Sequence, residues 1–391
     1  MPIKNRFSEM LPEITAWRRD LHAHPEILFD THRTAAVVAE KLRAFGCDEV
    51  VTGIGRTGVV GVIRGRTASS KLLGGKVIGL RADMDALPIV EQTGLDYASK
   101  TPGAMHACGH DGHTAMLLGA AKYLAETRNF DGTVVVIFQP AEEGGGGGRE
   151  MCADGMMDRW KIDEVYGMHN WPGRPVGSFA IRSGAFFAAT DQFTIQIEGK
   201  GGHAAKPQDV IDSTLVASHV VLALQSIVSR NADPVAQIVV SVTSFETSST
   251  AFNVIPQRVL MKGTVRTMSR ELRELAETRL KALVDATALA FGAVATVDYM
   301  RGYPSMVNAA AQTEFAAEVA RSVAGACDDA PLIMGGEDFA YMLEERPGAY
   351  ILVGNGDTAA VHNPAYNFND EAIPAGCSWW AGIAEQRMPC R

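Results

Sequence analysis

The sequence predicts an α/β fold that carries a second, smaller α+β domain as an insertion. Short apolar runs rich in Val and Ile recur along the first half of the chain and near its C-terminus, and each is followed by polar residues. Such continuous apolarity indicates strands covered on both faces, as in a largely parallel sheet between helices. The middle of the chain differs, because residues 193–198 alternate strictly between apolar and polar and therefore indicate a strand with one wet face.

The elements of the α/β part follow from these periodicities. Leu11, Ile14, Trp17 and Leu21 recur at helical spacing and predict an amphipathic helix that ends near Pro25. The other predicted elements of this part are a helix over 34–45, strands at 77–80, 133–138, 165–168 and 350–353, and a helix over 114–124 between the first two strands.

The inserted part has its own order of elements. They are a strand at 193–198, a helix over 211–228, strands at 236–242 and 258–266, a charged helix over 270–291 and a strand at 293–299. This β-α-β-β-α-β order is that of a ferredoxin-like sandwich. We therefore predict one domain over residues 1–184 and 303–391, with an inserted domain over 185–302. A chain of 391 residues, 47% of them hydrophobic, is long and apolar enough for both cores.

Charge and composition exclude several classes of partner. Lys and Arg total 36 against 45 Asp and Glu, which gives a net charge of −9 and a poor match for a phosphate backbone. No apolar run approaches the roughly 18 residues of a membrane span, and the first ten residues lack an apolar signal core. The six cysteines are scattered, as is usual in a reducing compartment. We expect a cytoplasmic protein that binds neither nucleic acid nor membrane.

Residues able to bind metals or move protons follow several predicted strands, in the clusters 81–85, 139–143, 169–171 and 362–364, and a further cluster at 105–113 opens a predicted helix. Ligands of open α/β sheets bind beyond the carboxyl ends of the strands, so we expect these clusters to converge. The candidate ligands suit a borderline divalent metal and are Cys108, His110, Glu143, His169 and His362. Five ligands exceed what one catalytic ion normally takes, which favours two ions that share a ligand.

The adjacent carboxylates Glu142 and Glu143 indicate a division of labour. In an extended segment they would point in opposite directions, so that one binds metal while the other acts as general base. Each residue alone also has an ordinary interpretation: a single His can be structural, Cys108 a small buried apolar residue, and a Glu pair solvated surface. The five glycines at 144–148 lack the Gly-Lys-Ser/Thr ending of a phosphate loop, and their position predicts a tight turn that opens the next helix.

Seven motifs carry a family resemblance. They are WRRDLHAHPE at 17–26, RADMDALP at 81–88, MHACGHDGH at 105–113, QPAEEG at 139–144, GMHNWP at 167–172, GGEDF at 335–339 and HNP at 362–364. In this order, over nearly the whole chain, they resemble the M20 metallopeptidase superfamily, and within it the amidohydrolases that include hippurate hydrolases, N-acyl-amino-acid amidohydrolases and auxin-conjugate hydrolases. The resemblance implies a zinc-peptidase-like catalytic domain with a mixed sheet, and an inserted lid domain that can also mediate dimerisation.

The resemblance also implies roles for individual residues of the catalytic domain. The ligands of a two-metal site would be Cys108, His110, Glu143, His169 and His362. Glu142 would be the general base. Asp85 would orient one of the ligands, with a surface-loop carboxylate as the alternative interpretation.

Residues of the lid would complete the active site. His203 would stabilise the oxyanion, often across a dimer, and Asn253 and Arg266 would contact the substrate. For Arg266 the alternative is a strand residue whose charge lies in solvent. Gly335 and Gly336 would let the backbone approach the substrate's carboxylate closely.

The implied activity is metal-dependent hydrolysis of the amide bond in N-acyl amino acids, which yields a carboxylic acid and a free amino acid. The cofactors would be two divalent ions, Mn or Zn, with Co or Ni as alternatives. A carboxypeptidase, or a specific N-acetyl or N-acyl deacetylase of amino-acid metabolism, would use the same chemistry. A catalytically inactive binding protein for amino-acid conjugates is the alternative from another class. We also expect a homo-oligomer formed through the lid domain.

Overall fold

A computed structural model describes residues 5–66 and 75–390. Its helices are α1 Asn5–Ala23, α2 His32–Ala44, α3 His110–Thr127, α4 Gly147–Ala153, α5 Met156–Arg159, α6 Ser213–Ser226, α7 Arg270–Ala290, α8 Ala310–Ala324, α9 Ala340–Glu345 and α10 Ile373–Arg387. Its strands are β1 Glu49–Ile54, β2 Gly58–Arg64, β3 Val77–Asp83, β4 Thr133–Gln139, β5 Glu164–Trp171, β6 Phe179–Ile181, β7 Gly184–Phe187, β8 Ala189–Glu198, β9 Gly202–His203, β10 Ile238–Thr247, β11 Val254–Ile255, β12 Arg258–Thr267, β13 Val294–Arg301, β14 Met306–Asn308, β15 Asp328–Asp329 and β16 Gly348–Gly354.

The chain forms two compact units. The first contains the residues up to Gly184, Val307–Pro331 and the residues from Asp338 onward. The second contains Ala185–Met306 and Leu332–Glu337. The short segment Leu332–Glu337 belongs to the second unit because the Ala188 amide there donates to the carbonyls of Ile333 and Gly335. The sequence-based boundary differs at this point, since it leaves residues 303–391 whole in the first domain.

The first unit is built on a mixed sheet with the strand order β1-β2-β4-β3-β5-β16-β6-β15. The neighbours β4 and β3, β3 and β5, and β5 and β16 run parallel. The hairpin of β1 and β2 adds antiparallel strands beyond β4. The predicted α/β class is therefore confirmed, and the central parallel strands end at a common edge of the sheet.

The central strands are buried on both faces, as their uninterrupted apolar runs predicted. In β4 and β16 nearly every residue is buried, from Val134 to Gln139 and from Gly348 to Gly354. Helices α1, α3 and α10 pack against one another beside the sheet. Trp379 and Trp380 of α10 are fully buried in this core.

The second unit is an antiparallel sheet with the order β10-β12-β8-β13. Together with α6 and α7 it has the element order and strand order of a ferredoxin-like sandwich. Strand β8 alternates between buried and partly exposed residues, as the sequence pattern predicted. Its apolar residues form a separate core with those of α6 and α7. Among the helices that the structure describes, none is both long and apolar enough to cross a membrane.

Candidate metal centre

The five candidate ligands lie at the carboxyl edge of the parallel strands in the first unit. Cys108 and His110 flank Gly109, which begins α3 in a left-handed conformation with φ 87°. His169 lies near the end of β5, Glu143 follows β4, and His362 lies in the loop after β16. The predicted convergence of polar clusters at this edge is thus observed.

The ligand atoms form overlapping groups. Cys108 Sγ lies 3.3 Å from His169 Nε2, and His362 Nε2 lies 3.1 Å from Glu143 Oε1. One group consists of Cys108, His110 and His169, another of Cys108, Glu143 and His362, and within each group the ligand atoms lie within 4.8 Å of one another. Such spacings suit ions bound at about 2.0–2.3 Å from nitrogen, oxygen or sulfur. Because Cys108 belongs to both groups, the geometry accommodates two ions that share a ligand.

The histidines of the first group have lone pairs available for a metal. His169 Nδ1 lies 2.6 Å from the Asn170 carbonyl. Since a carbonyl only accepts, Nδ1 carries the proton and Nε2 is left as the ligand atom. Among the described residues neither ring nitrogen of His110 has a hydrogen-bond partner, although the side chain is fully buried. Its nearest charged neighbours are Asp85 Oδ1, 3.5 Å from Nδ1, and Asp83 Oδ2, 3.8 Å from Nε2. A divalent cation can replace the proton that these carboxylates hold on the ring.

The negative charge of the carboxylates in the centre also favours the binding of cations. Burial lowers the pKa of His110, but the negative charges of Asp83, Asp85 and Glu143 outweigh burial and raise it to about 10. Burial and the neighbouring carboxylates of Glu143 and Glu142 raise the pKa of the Cys108 thiol well above its usual value. The metal-free centre therefore holds protons on groups that bind metals only when deprotonated, so that binding a cation releases protons.

Glu142 and Glu143 lie in a turn, so the extended segment assumed from the sequence is wrong. Ala141, just before them, has φ 54°, which is a left-handed conformation that non-glycine residues rarely adopt. The turn aims the backbone amides of Glu142 and Glu143 at one carboxylate. These amides lie 2.9 and 3.1 Å from Asp85 Oδ1 and Oδ2. Glu142 itself is buried beside His110 and Glu143, within the same group of potential ligand atoms.

Asp85 is buried, so the alternative of a surface-loop carboxylate is wrong. Its Oδ1 lies 3.5 Å from His110 Nδ1, and both of its oxygens accept the amides described above. Burial raises the pKa of Asp85, although its polar neighbours oppose the shift. Asp85 thus contacts both the turn that carries Glu142 and the His110 ring.

The glycine run forms the predicted turn and opens α4. Gly144 has φ 93° and Gly146 has φ 71°. A Cβ at Gly147 would lie 1.7 Å from the Pro140 carbonyl oxygen, so no larger residue fits there without displacing the chain. The glycines allow the chain to fold back tightly behind the two glutamates.

Sequence reasoning missed a buried polar chain behind the centre, formed by Asp83, His113 and Asn170. His113 Nδ1 lies 2.7 Å from Asp83 Oδ1, and His113 Nε2 accepts the Asn170 amide at 2.9 Å. Both ring nitrogens of His113 are thus occupied, so His113 is not a metal ligand despite its position three residues after His110. No local sequence signal reveals this chain, because its members are 30 and 57 residues apart.

The remaining predicted site residues belong to the second unit. His203 is exposed at the start of a tight turn, and the Ala205 amide donates to its Nδ1 at 3.1 Å. His203 Nε2 therefore carries the proton and is a hydrogen-bond donor in the neutral ring. Asn253 lies beside it, since its carbonyl accepts the Ala204 amide at 3.0 Å.

Arg266 and the two glycines lie elsewhere in the second unit. Arg266 is half-buried in β12 and lines an open concavity with Gln192 and Lys262. Its side chain is therefore not fully in solvent. Burial lowers its pKa. Gly336 packs against the start of β8, where a Cβ would lie 2.4 Å from Thr190 Cγ2. A Cβ at Gly335 would make an ordinary contact with Ile333 Cγ2 at 3.5 Å.

A parallel α/β sheet with thiol, imidazole and carboxylate groups converging at its carboxyl edge defines a class of metal-dependent hydrolases. The sequence profile of Peptidase family M20/M25/M40 matches residues 79–386. The chain belongs to this family, which confirms the predicted resemblance and a hydrolase function.

Two relatives indicate the subfamily to which the chain belongs. The chain is 41% identical to a hippurate hydrolase of Campylobacter jejuni over 371 residues, covering 94% of each chain. It is 38% identical to an N-acetylcysteine deacetylase of Bacillus subtilis over 368 residues, again covering 94% of each. These relatives confirm the predicted amidohydrolase subfamily.

A solved structure matches nearly the whole chain. It is the YXEP protein of Bacillus subtilis, a dinuclear metal binding peptidase of the M20 family. The match has a TM-score of 0.84 and 34% identity and covers 97% of this chain and 99% of the other. With the overlapping groups of ligand atoms seen here, this likeness supports a site for two divalent ions.

Proposed function

We propose that this protein hydrolyses the amide bond of N-acyl amino acids at a two-metal centre. The ions are held by Cys108, His110, Glu143, His169 and His362. The observation that carries the proposal is the convergence of these five groups beside Glu142, with Cys108, His110 and His169 buried, Glu143 partly buried and His362 exposed. Relatives that act on hippurate and on N-acetylcysteine support the substrate class.

Glu142 is the proton carrier. Divalent ions in this centre supply Lewis-acid chemistry, which makes water acidic enough to be deprotonated near neutral pH and polarises an amide carbonyl. The Glu142 carboxylate takes a proton from the attacking water, whose oxygen bonds to the carbonyl carbon. Glu142 then gives that proton to the leaving nitrogen as the carbon–nitrogen bond breaks. The Asp85 carboxylate, by accepting the Glu142 backbone amide, would fix the turn that holds Glu142 beside the ligand groups of His110 and Glu143.

Residues of the second unit complete the mechanism. His203 donates from Nε2 to the oxygen that becomes negative in the transition state. Arg266 and Asn253 bind the substrate, and the backbone at Gly335 and Gly336 approaches its carboxylate. Activity is then expected to depend on residues of both units.

The donor set favours Mn or Zn, with Co or Ni as alternatives. A thiol and three imidazoles suit Zn and its neighbours, and the carboxylate also suits Mn. Incubation of metal-free protein with each ion, followed by measurement of bound metal and of turnover, identifies the ion that supports activity.

A substrate panel tests the proposed reaction. N-benzoylglycine, N-acetylcysteine, other N-acetyl amino acids and dipeptides are incubated with the metal-loaded protein, and products are quantified by mass spectrometry. We expect release of a carboxylic acid and a free amino acid from the N-acyl compounds, abolished by a chelator. Cleavage of dipeptides alone would indicate a carboxypeptidase, and metal binding without cleavage of any compound would indicate a binding protein.

We further propose that the protein forms a homo-oligomer through the second unit. Leu215 and Leu222 of α6 are 49% and 68% exposed, which is unusual for large apolar side chains in one helix. Light scattering of the Leu222→Glu variant is expected to show dissociation. Val294→Glu, a substitution at a 66% exposed residue of β13, is the matched control. A wild-type protein that is monomeric and fully active would contradict this proposal.

A further inference from the structure

Asn170 contacts two of the proposed metal ligands at once. Its side-chain amide donates to the backbone carbonyl of Cys108 at 2.6 Å. Its backbone carbonyl accepts from His169 Nδ1, also at 2.6 Å. Asn170 is fully buried. One residue therefore fixes the backbone of Cys108 and the ring orientation of His169.

The loop that carries Cys108 is shaped around this side chain. A Cβ at Gly109 would lie 2.3 Å from Asn170 Nδ2 and 2.4 Å from the Tyr366 hydroxyl. That hydroxyl donates to Asn170 Oδ1 at 2.7 Å. The glycine between Cys108 and His110 thus allows the close approach of both groups.

Hydrogen bonds with a second set of buried residues fix the orientation of Asn170. His113 Nε2 accepts from the backbone amide of Asn170. His113 Nδ1 must therefore carry the proton that it donates to Asp83. Asp83 also accepts from Arg81 at 2.8 Å, and Thr114 donates to its carbonyl at 2.8 Å. All of these side chains are buried, so the chain has no solvent to replace a lost bond.

We propose that Asn170, supported by His113 and Asp83, is a positioning residue that sets the geometry of the ligand pair Cys108 and His169. The proposal rests on the ligand assignment made under the proposed function. Asn170 makes no contact with Glu143 or His362 in the hydrogen-bond network of the described residues, so it acts on the centre through Cys108 and His169. Groups that orient metal ligands in this way typically change metal affinity or activity by about 10–100-fold when removed.

The test measures metal binding without substrate. Co²⁺ is titrated into the metal-free protein, and the thiolate-to-metal charge-transfer absorption reports ligation by Cys108. For Asn170→Leu we expect affinity for one ion to fall by about 10–100-fold with a weaker charge-transfer band. The second ion shares Cys108 but keeps Glu143 and His362, so its affinity should fall by less.

A matched variant separates positioning from general stability. Asn308 is also buried and bridges backbone carbonyls, with Nδ2 2.8 Å from Arg182 O and 2.9 Å from Tyr350 O, far along the chain from the ligands. Asn308→Leu should lower the free energy of unfolding and leave the Co²⁺ affinity and spectrum unchanged. Wild-type Co²⁺ binding by Asn170→Leu, or equal losses in both variants, would overturn the proposal.

Two milder variants decide the question if Asn170→Leu does not fold. His113→Gln keeps an acceptor for the Asn170 amide, whereas His113→Ala removes it, so the first should retain more of the Co²⁺ affinity and charge-transfer intensity. Equal behaviour of these two variants would contradict the proposal. If Co²⁺ binds as expected but no N-acyl amino acid is cleaved, the proposed function fails and the positioning role stands.

Discussion

At the scale of single residues, Asp85 holds the turn that carries the proposed general base, Glu142. Its two oxygens accept the amides of Glu142 and Glu143, and it lies 3.5 Å from the His110 ring. Adjacent backbone amides that converge on one anion form a rigid turn. The direction of the Glu142 side chain therefore depends on a residue 57 positions earlier in the chain.

Replacement of Asp85 by asparagine should disturb both the proposed general base, Glu142, and the proposed metal ligand His110. An amide can accept only one of the two backbone N–H groups and would place its own NH₂ against the other. We expect turnover and metal affinity each to fall by about 10–100-fold, as measured by kinetics and metal titration. Asp212→Asn is the control for loss of a carboxylate charge outside the centre, since Asp212 caps α6 by accepting two backbone amides on Oδ1, an oxygen that asparagine keeps. Equal effects of the two substitutions would contradict a role for Asp85 in the centre.

His22 provides a second prediction at this scale, for stability. Burial lowers its pKa, but Asp111 at 2.8 Å and Glu91 at 3.3 Å outweigh burial and raise it to about 9. Folding thus favours the protonated ring. The resulting stability is complete below the unfolded pKa of about 6.5 and is lost as pH rises through 9.

Urea unfolding of the metal-free protein at several pH values measures this contribution. The free energy of unfolding should fall between about pH 6.5 and 9, by about 3 kcal/mol at most from His22. His22→Gln, which cannot titrate, should show a smaller fall. His219→Gln, at an exposed histidine of α6, should retain the wild-type slope. A wild-type slope in His22→Gln would show that the ring is not protonated in the folded state.

At the scale of elements, the α4 entrance depends on glycine for space. Gly147→Ala should push the chain away from Pro140, because the added Cβ would meet the Pro140 carbonyl at 1.7 Å. We expect lower thermal stability together with weaker metal binding, since the displaced turn carries Glu143. Gly325→Ala, at the left-handed end of α8, is the control: it should cost about 1 kcal/mol without changing metal affinity. Unchanged metal binding in Gly147→Ala would contradict the coupling.

Elements could be predicted from the sequence where their periodicity was clear. The two amphipathic helices at the start and the continuous apolar strands are examples. Helix α10 was missed because it is buried all round from Ile373 to Ala384, so it lacks an amphipathic stripe. Strand β2 was not predicted although its residues 58–63 are all buried, because Gly58 and Gly61 interrupt its apolar run.

Residues of the candidate metal centre could likewise be predicted from the sequence only where a local pattern was clear. The cluster that opens a predicted helix pointed to Cys108 and His110, and a cluster that follows a predicted strand pointed to Glu143, because their chemistry is visible in a few adjacent residues. The role of His113 and Asn170 depends on contacts with Asp83 and Cys108 across 30 and 62 positions. Such contacts exist only after folding, and no spacing rule predicts them.

At the scale of the whole molecule, the two units divide the proposed work. The ligands and Glu142 belong to the first unit, and His203, Asn253 and Arg266 belong to the second. Each unit has its own apolar core. Metal binding and transition-state stabilisation should therefore respond to different substitutions.

His203→Ala tests this division. Loss of the Nε2–H donor should lower kcat by about 10²–10³-fold while metal content and affinity stay at the wild-type level. His219→Ala, at another exposed histidine of the second unit, should change neither quantity. Loss of metal in His203→Ala would place His203 among the ligands instead.

The most direct test is the Glu142→Gln variant, with bound metal and turnover measured on the same sample. Glutamine keeps the size of the side chain but can neither take nor deliver the proton. We expect two divalent ions per chain, as in the wild type, and a fall in turnover of about 10²–10⁴-fold. Wild-type turnover by a fully metal-loaded Glu142→Gln protein would contradict the assignment of Glu142 as the proton carrier.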